Sequence, residues 1–268
     1  MNKKKYSIIV SDYDCTLAEP TVSDKNKEMI FKYLESGGHF IVSTGRAPFG
    51  IIPQLKEWGY YGIVSTFNGS LIVDIESGDI IFDKPISCEA TLKIVKKLES
   101  LGLGFYLHDK ENAYTNIPEE DRVKSPEVKS IVGKTMTQFV EEESFSSYGV
   151  LAIVDEKKGQ AVADEVKSAL EKECSIKLIA GIYLDISALN VSKGSAINVL
   201  SNYYQCPIEN IIAVGDQLND IAMIEQAGLG IAVKNAVDEL KDCADFVTEY
   251  TCKEDAIAYV IEKFGFIE

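Results

Sequence analysis

The sequence predicts an α/β fold, a Rossmann-like doubly wound parallel sheet interrupted by an inserted α+β block. Three observations carry this. Short β-branched runs alternate with amphipathic helical stretches near both ends of the chain. Between about residues 71 and 190 that alternation gives way to hairpin spacing. The 268 residues exceed one average domain and fall short of two, which suits a core carrying an insertion.

The elements follow in order. Residues 6–10 form an apolar run that closes in Ser11-Asp12-Tyr13-Asp14, a strand feeding an acidic loop. Residues 23–35 place Met29, Ile30, Tyr33 and Leu34 at helical spacing. Gly37-Gly38 interrupts, and a second strand, 39–43, closes at Thr44-Gly45-Arg46. A helix towards Trp58 leads to a third strand at 62–65. Runs at 71–73 and 80–82 flank Glu76-Ser77-Gly78-Asp79, a hairpin signal. A helix over 87–100, short strands, a helix over 158–171 and two strands around Gly181 complete the middle block. After Lys193 the alternation returns: helix to Tyr204, strand 210–214, helix 218–226, strand 229–233, a short helix near Ala236, strand 246–247 and helix 254–264. The core is therefore assigned to 1–83 and 187–268, and the inserted block to 84–186.

Composition narrows the function. The chain is 46% hydrophobic and 26% charged, which excludes disordered and low-complexity classes. Asp and Glu number 42 against 27 Lys and Arg, a net charge of −15 that repels polyphosphate backbones and argues against nucleic acid as a partner. No apolar run approaches the roughly 18–20 residues of a bilayer span. The basic start, residues 1–5, is followed by an apolar run too short for a signal peptide, so a cytoplasmic location is expected. Six scattered cysteines, without a C-x-x-C pair, read as reduced thiols rather than a zinc site or disulfide framework.

In doubly wound sheets ligands bind beyond the carboxyl ends of the strands. Three strand ends here finish in polar residues: Asp12 and Asp14, Thr44 to Arg46, and Gly215-Asp216 with Asn219-Asp220. Crowded carboxylates call for a hard cation, and the oxygen-only set Asp12, Asp14 and Asp216 favours Mg²⁺. Lys193 begins a helix just after a strand and can bring a point charge to the same crevice. The set suits a phosphoryl group: one carboxylate to attack phosphorus, cations to offset charge, and a second carboxylate two residues on to protonate the leaving oxygen and then activate water. Taken singly, each feature has an ordinary reading as an Asx-turn, a helix cap or a solvated lysine. Their ordered combination outweighs those readings.

That combination resembles the haloacid dehalogenase superfamily, and within it the Cof-like phosphatases, over nearly the whole chain. Asp12-Tyr13-Asp14-Cys15-Thr16 resembles the first motif, D-x-D-G-T; Ser43-Thr44-Gly45-Arg46 the second; Ser192-Lys193-Gly194 the third; and Gly215-Asp216-Gln217-Leu218-Asn219-Asp220 the fourth, G-D-x-x-N-D. Asn68-Gly69 and Lys234-Asn235-Ala236 also sit where the subfamily has N-G and G-N-A. The resemblance implies a Mg²⁺-dependent phosphatase of small phosphorylated metabolites, such as sugar phosphates, working through an aspartyl-phosphate. Asp12 would be the nucleophile and Asp14 the general acid and base. Tyr13, Thr44, Gly45, Arg46, Lys193 and Asn219 would hold substrate phosphate, and Asp12, Asp14 (through its backbone carbonyl), Asp216 and Asp220 the metal. The inserted block would form a cap that excludes water and selects the leaving group, with Tyr106, His108, Tyr114, Tyr183 and Asp185 as candidates. Cys15 and Lys234 depart from the pattern by replacing glycines, and Cys15 adds an oxidisable thiol beside the nucleophile. A phosphomutase and a non-catalytic phospho-receiver are the alternatives. Asp14 argues against the receiver, since a base there would hydrolyse the acyl-phosphate.

Overall fold

The computed structural model describes residues 6–179 and 181–265; the basic stretch 1–5 and the far ends of the core assignment, 1 and 268, lie outside them. In chain order the elements are β1 (Ile8–Asp12), α1 (Asp24–Glu35), β2 (His39–Ser43), α2 (Pro48–Glu57), β3 (Ile63–Thr66), β4 (Leu71–Asp74) and β5 (Ile80–Asp83). They continue with α3 (Cys88–Ser100), β6 (Gly104–His108), β7 (Ala113–Thr115), β8 (Val128–Ser130), α4 (Met136–Glu143), β9 (Gly149–Ile153), α5 (Gly159–Leu170), β10 (Cys174–Ile179) and β11 (Tyr183–Ala188). The last are α6 (Lys193–Tyr203), β12 (Ile211–Gly215), α7 (Ile221–Gln226), β13 (Leu229–Ala232), α8 (Asp238–Cys243), β14 (Phe246–Val247) and α9 (Ala256–Phe264). Two compact units result. The first holds the chain up to Arg46, Ile52–Phe82 and everything from Ser192; the second holds Ala47–Ile51 and Asp83–Val191.

The first unit is built on an eight-stranded sheet ordered β14-β13-β12-β1-β2-β3-β4-β5, parallel from β14 to β3 and antiparallel where β4 returns. All five residues of β1 are buried, as a strand covered on both faces requires. Helix α1 starts where the Ser23 hydroxyl accepts the Asn26 N–H, and its apolar stripe buries Ile30 and Tyr33. Strand β1 lies between β2 and β12, so successive connections leave it in opposite directions and the crevice opens at its carboxyl end.

The second unit is a six-stranded sheet ordered β10-β11-β9-β6-β7-β8. Period-two alternation sorts its side chains: Phe105, Leu107, Val150, Leu184 and Ile186 pack with Ile94, Leu98, Val140 and Val166 of the helices. Tyr114 pairs with Leu107 and packs on Phe139 and Phe145, so this leaving-group candidate belongs to the helix-covered core. Tyr106 and Asp185 lie in one cross-strand row through Leu151, on the other face.

Three boundaries differ from the sequence reading. Helix α7 starts at Ile221 instead of 218, because the Asp220 carboxylate captures the N–H groups of Asp216 and Gln217 and holds 216–220 as a loop. Helix α9 starts at Ala256, since Asp255 at φ 64° breaks it from the preceding turn. Strand β11 runs to Ala188, paired with Cys174, so the second unit closes at Val191 instead of 186. Among the described residues no helix is long and apolar enough to cross a membrane.

Candidate active site

Four loops of the first unit supply the site. Asp12 ends β1, Thr44 to Arg46 follow β2, Lys193 opens α6, and Asp216 follows β12. Ser192 fixes the start of α6 by a reciprocal capping box with Ser195, which commits the next residue, Lys193, to the first helical turn. Lys193 is only 1% exposed. Its ammonium donates to Oδ1 of Asp12 at 2.5 Å and to Oδ1 of Asp220 at 2.6 Å. Asp220 Oδ2 in turn accepts the N–H of Asp216 at 3.0 Å and of Gln217 at 2.9 Å. A Cβ on residue 215 would sit 2.5 Å from the Asp220 side chain, which explains the glycine at the head of that motif. Buried Thr16 donates to Oδ1 of Asp216 at 2.8 Å and ties the first loop to the fourth.

Carboxylate oxygens of Asp12, Asp216 and Asp220 lie within 4.8 Å of one another, and all three residues are buried. Burial raises the Asp12 pKa well above the usual carboxylate range; the Lys193 ammonium opposes this, and Asp220 and Asp216 add to it. Asp216 is shifted the same way, chiefly by burial. Burial works against the Lys193 ammonium too, but Asp12 and Asp220 outweigh it and hold its pKa above that of an ordinary lysine. When all three carboxyl groups of this desolvated cluster are ionised, the one ammonium leaves two negative charges uncompensated. A hard divalent cation fits that deficit and that oxygen donor set. Asp220, with Lys193 on one oxygen and two N–H groups on the other, is the organiser of the cluster, whereas Asp12 and Asp216 carry the less encumbered oxygens.

The Asp14 carboxylate is held elsewhere, in a two-pronged grip by Arg46, with Nε donating to Oδ2 at 2.9 Å and Nη2 to Oδ1. Arg46 also donates to Gln54 at 3.1 Å and lies over the Tyr13 ring at 5.3 Å. Thr44 is buried, and its hydroxyl accepts the Arg46 N–H. Asn219 donates from Nδ2 to Oδ1 of Asn68 at 3.1 Å. The first unit thus gathers Asp12, Tyr13, Asp14, Thr44, Gly45, Arg46, Lys193, Asp216, Asn219 and Asp220. Gln54 carried no sequence signal, being one polar residue on a helix; Asn68 was visible only as half of an N-G pair.

Cys15 has φ 59°, so the position where a glycine was expected does impose a left-handed backbone. Lys234 is outside that region, and its N–H reaches the Thr248 hydroxyl and the Tyr250 carbonyl, so its backbone needs no glycine.

A model of haloacid dehalogenase-like hydrolases matches residues 9–261. The 5-amino-6-(5-phospho-D-ribitylamino)uracil phosphatase YcsE of Bacillus subtilis is 27% identical over 95% of this chain and 94% of its own. Phosphatase YwpJ of the same organism is 27% identical over 95% and 98%. A solved haloacid dehalogenase-like hydrolase from B. subtilis superposes with a TM-score of 0.84 at 24% identity, over 96% of this chain and 99% of that one, and shares the fold. With the family model spanning both units and all four motif loops, the chain belongs to the haloacid dehalogenase-like hydrolases.

Proposed function

We propose that this chain is a Mg²⁺-dependent phosphatase that hydrolyses small phosphorylated metabolites through an aspartyl-phosphate on Asp12. The observation that carries the reading is the buried Asp12–Lys193–Asp220 cluster with Asp216 beside it, two charges short of neutrality at the carboxyl end of β1. The B. subtilis relative named for a phosphorylated ribityl compound supports a small-metabolite substrate. Discrimination among leaving groups is assigned to the second unit.

In the first half-reaction an Asp12 oxygen bonds to phosphorus while the bond from phosphorus to the leaving oxygen breaks, and protonated Asp14 gives that oxygen its proton. In the second, Asp14 takes a proton from water as the water oxygen bonds to phosphorus and Asp12 is released. Arg46 orients Asp14 for both transfers, and Lys193 and Asn219 offset charge on the phosphoryl oxygens. Asp12 and Asp216, with the Asp14 carbonyl, would hold Mg²⁺, which supplies further neutralisation of phosphoryl charge when bound. Phosphate release from a panel of sugar phosphates, nucleotides and an aryl phosphate, in Mg²⁺ and in EDTA, tests the reading. The parent is expected to turn over in Mg²⁺ only, and Asp12→Asn to fall by roughly 10³-fold or more, since the attacking oxygen's charge is gone. Parent-like turnover by Asp12→Asn would refute it.

A further inference from the structure

The turn after β3, Phe67-Asn68-Gly69, touches three of the four motif loops and has no part in the chemistry above. Asn68 adopts φ 54° and ψ 29°, a left-handed conformation that asparagine and glycine accept readily. Its N–H donates to the Thr44 carbonyl at 3.0 Å, and the Phe67 N–H to the Arg46 carbonyl at 3.0 Å, which pins the second loop. Its side-chain Oδ1 accepts from Asn219 Nδ2 at 3.1 Å, which reaches the fourth. Gly69, at φ 103°, passes so near the third loop that a Cβ there would lie 2.6 Å from the Ser192 carbonyl oxygen. The backbone strain at 67–69 is thus spent on one tripeptide seated against the loops that carry Thr44, Lys193 and Asn219.

The chemistry of the amide pair gives this seat a purpose. A carboxamide NH₂ has two hydrogens. Asn68 Oδ1 engages one of those on Asn219 and thereby fixes the plane of the amide, so that the other hydrogen has one direction to offer an anion. An asparagine free to rotate would lose that preorganisation and spread its donors over several rotamers. We infer that Asn68 is a positioning residue for phosphate recognition, acting through Asn219 on one side and through the Thr44 backbone on the other. The inference rests on the phosphatase reading for its anion; its geometry does not.

The test uses Asn68→Gly, which allows the left-handed backbone, keeps its N–H on the Thr44 carbonyl and removes the side chain with its carboxamide, together with Asn219→Ala and the double variant. All are assayed with an aryl phosphate in Mg²⁺ and by inhibition with inorganic phosphate. Asn68→Gly is expected to lower kcat/KM and to raise the inhibition constant for phosphate, each by roughly tenfold, as loss of one positioned hydrogen-bond donor implies. The double variant should be no worse than Asn219→Ala, because the Asn68 side chain acts through that residue and the backbone bond to Thr44 is kept in Asn68→Gly. Losses that multiply in the double variant, or an Asn68→Gly enzyme equal to the parent, would overturn the inference. A crystal structure of Asn68→Gly adds a readout independent of turnover: the Asn219 amide is expected to leave its present orientation, and finding it in place would overturn the positioning role. A parent enzyme without turnover would instead overturn the phosphatase reading, and the crystal structure would still decide the geometry.

Discussion

At residue 15 a side chain occupies a left-handed backbone, φ 59°, on the loop that carries Asp12, the proposed nucleophile. That conformation costs a non-glycine residue about 1–2 kcal/mol, and glycine gives back roughly 0.5–1 kcal/mol through its looser unfolded chain. Cys15→Gly is therefore expected to stabilise the protein by about 0.5–1 kcal/mol, a Tm rise of roughly 1–4 °C by differential scanning calorimetry. A fall in Tm would show that the thiol's packing outweighs the strain. The thiol itself is a poorer target for oxidants than its place beside Asp12 suggested: burial, with Asp216 and Glu19 adding to it, pushes its pKa up and keeps it protonated. Lys193 presents the opposite balance. Removing its ammonium leaves Asp12 and Asp220 facing each other without a counter-charge, so Lys193→Ala should cost roughly 3–5 kcal/mol in urea unfolding as well as activity. A Lys193→Ala protein as stable as the parent would mean that one of these carboxylates had taken up a proton.

Among the elements, β11 carries a titrating group that the active site does not use. Burial raises the Asp185 pKa to about 6, against a smaller opposing effect from Lys177, its register partner on β10. The unfolded chain ionises near pH 3.8, so between about pH 4 and pH 6 the folded state binds more protons and stability falls as pH rises. The loss is complete above pH 6 and amounts to about 1–3 kcal/mol. Asp185→Asn should match the parent at pH 4 and exceed it at pH 7.5; equal urea midpoints at both would place the ionised carboxylate in a better-compensated environment. Such effects are invisible in sequence, whereas the elements themselves were largely legible. Continuous apolar runs located β1 and β2, which are buried along nearly their whole length, and the 3.6 period located α1, α3 and α6, which bury one face against the core, each within a residue or two. The reading failed where a side chain overrode periodicity, as Asp220 did at the start of α7 and Asp255 at α9. Helix α4 was missed altogether: its eight residues bury only Met136, Phe139 and Val140, and a capping box at Thr135 and Gln138 does much of the work of starting it. In the site, the residues in motifs were readable from their order alone, while the Arg46–Asp14 grip and the Asn68–Asn219 bond join residues 32 and 151 positions apart and required the fold.

On the scale of the whole chain, the charge deficit belongs to one unit. The clustered carboxylates that share the single Lys193 ammonium, Asp12, Asp216 and Asp220, all lie in the first unit, and the residues between Asp83 and Val191 contribute none of them. An ion that binds the folded cluster and not the unfolded chain stabilises by RT ln(1 + [ion]/Kd), about 2.7 kcal/mol at a hundredfold excess over Kd. Because that free energy enters through β1, α6 and the loop after β12, it should protect the amides of those segments first. Hydrogen exchange in Mg²⁺ against EDTA is expected to slow exchange in the first unit by up to about a hundredfold and to leave β6, β9 and β11 nearly unchanged. Asp216→Asn removes a negative charge and an oxygen donor together, so it should abolish most of the difference. Ca²⁺ should protect the same segments yet fail to support phosphate release, since a larger ion with a looser shell can engage both oxygens of Asp12 and withdraw it from attack. Protection spread equally over both units would mean that they unfold as one body, and protection that survives Asp216→Asn would place the cation elsewhere.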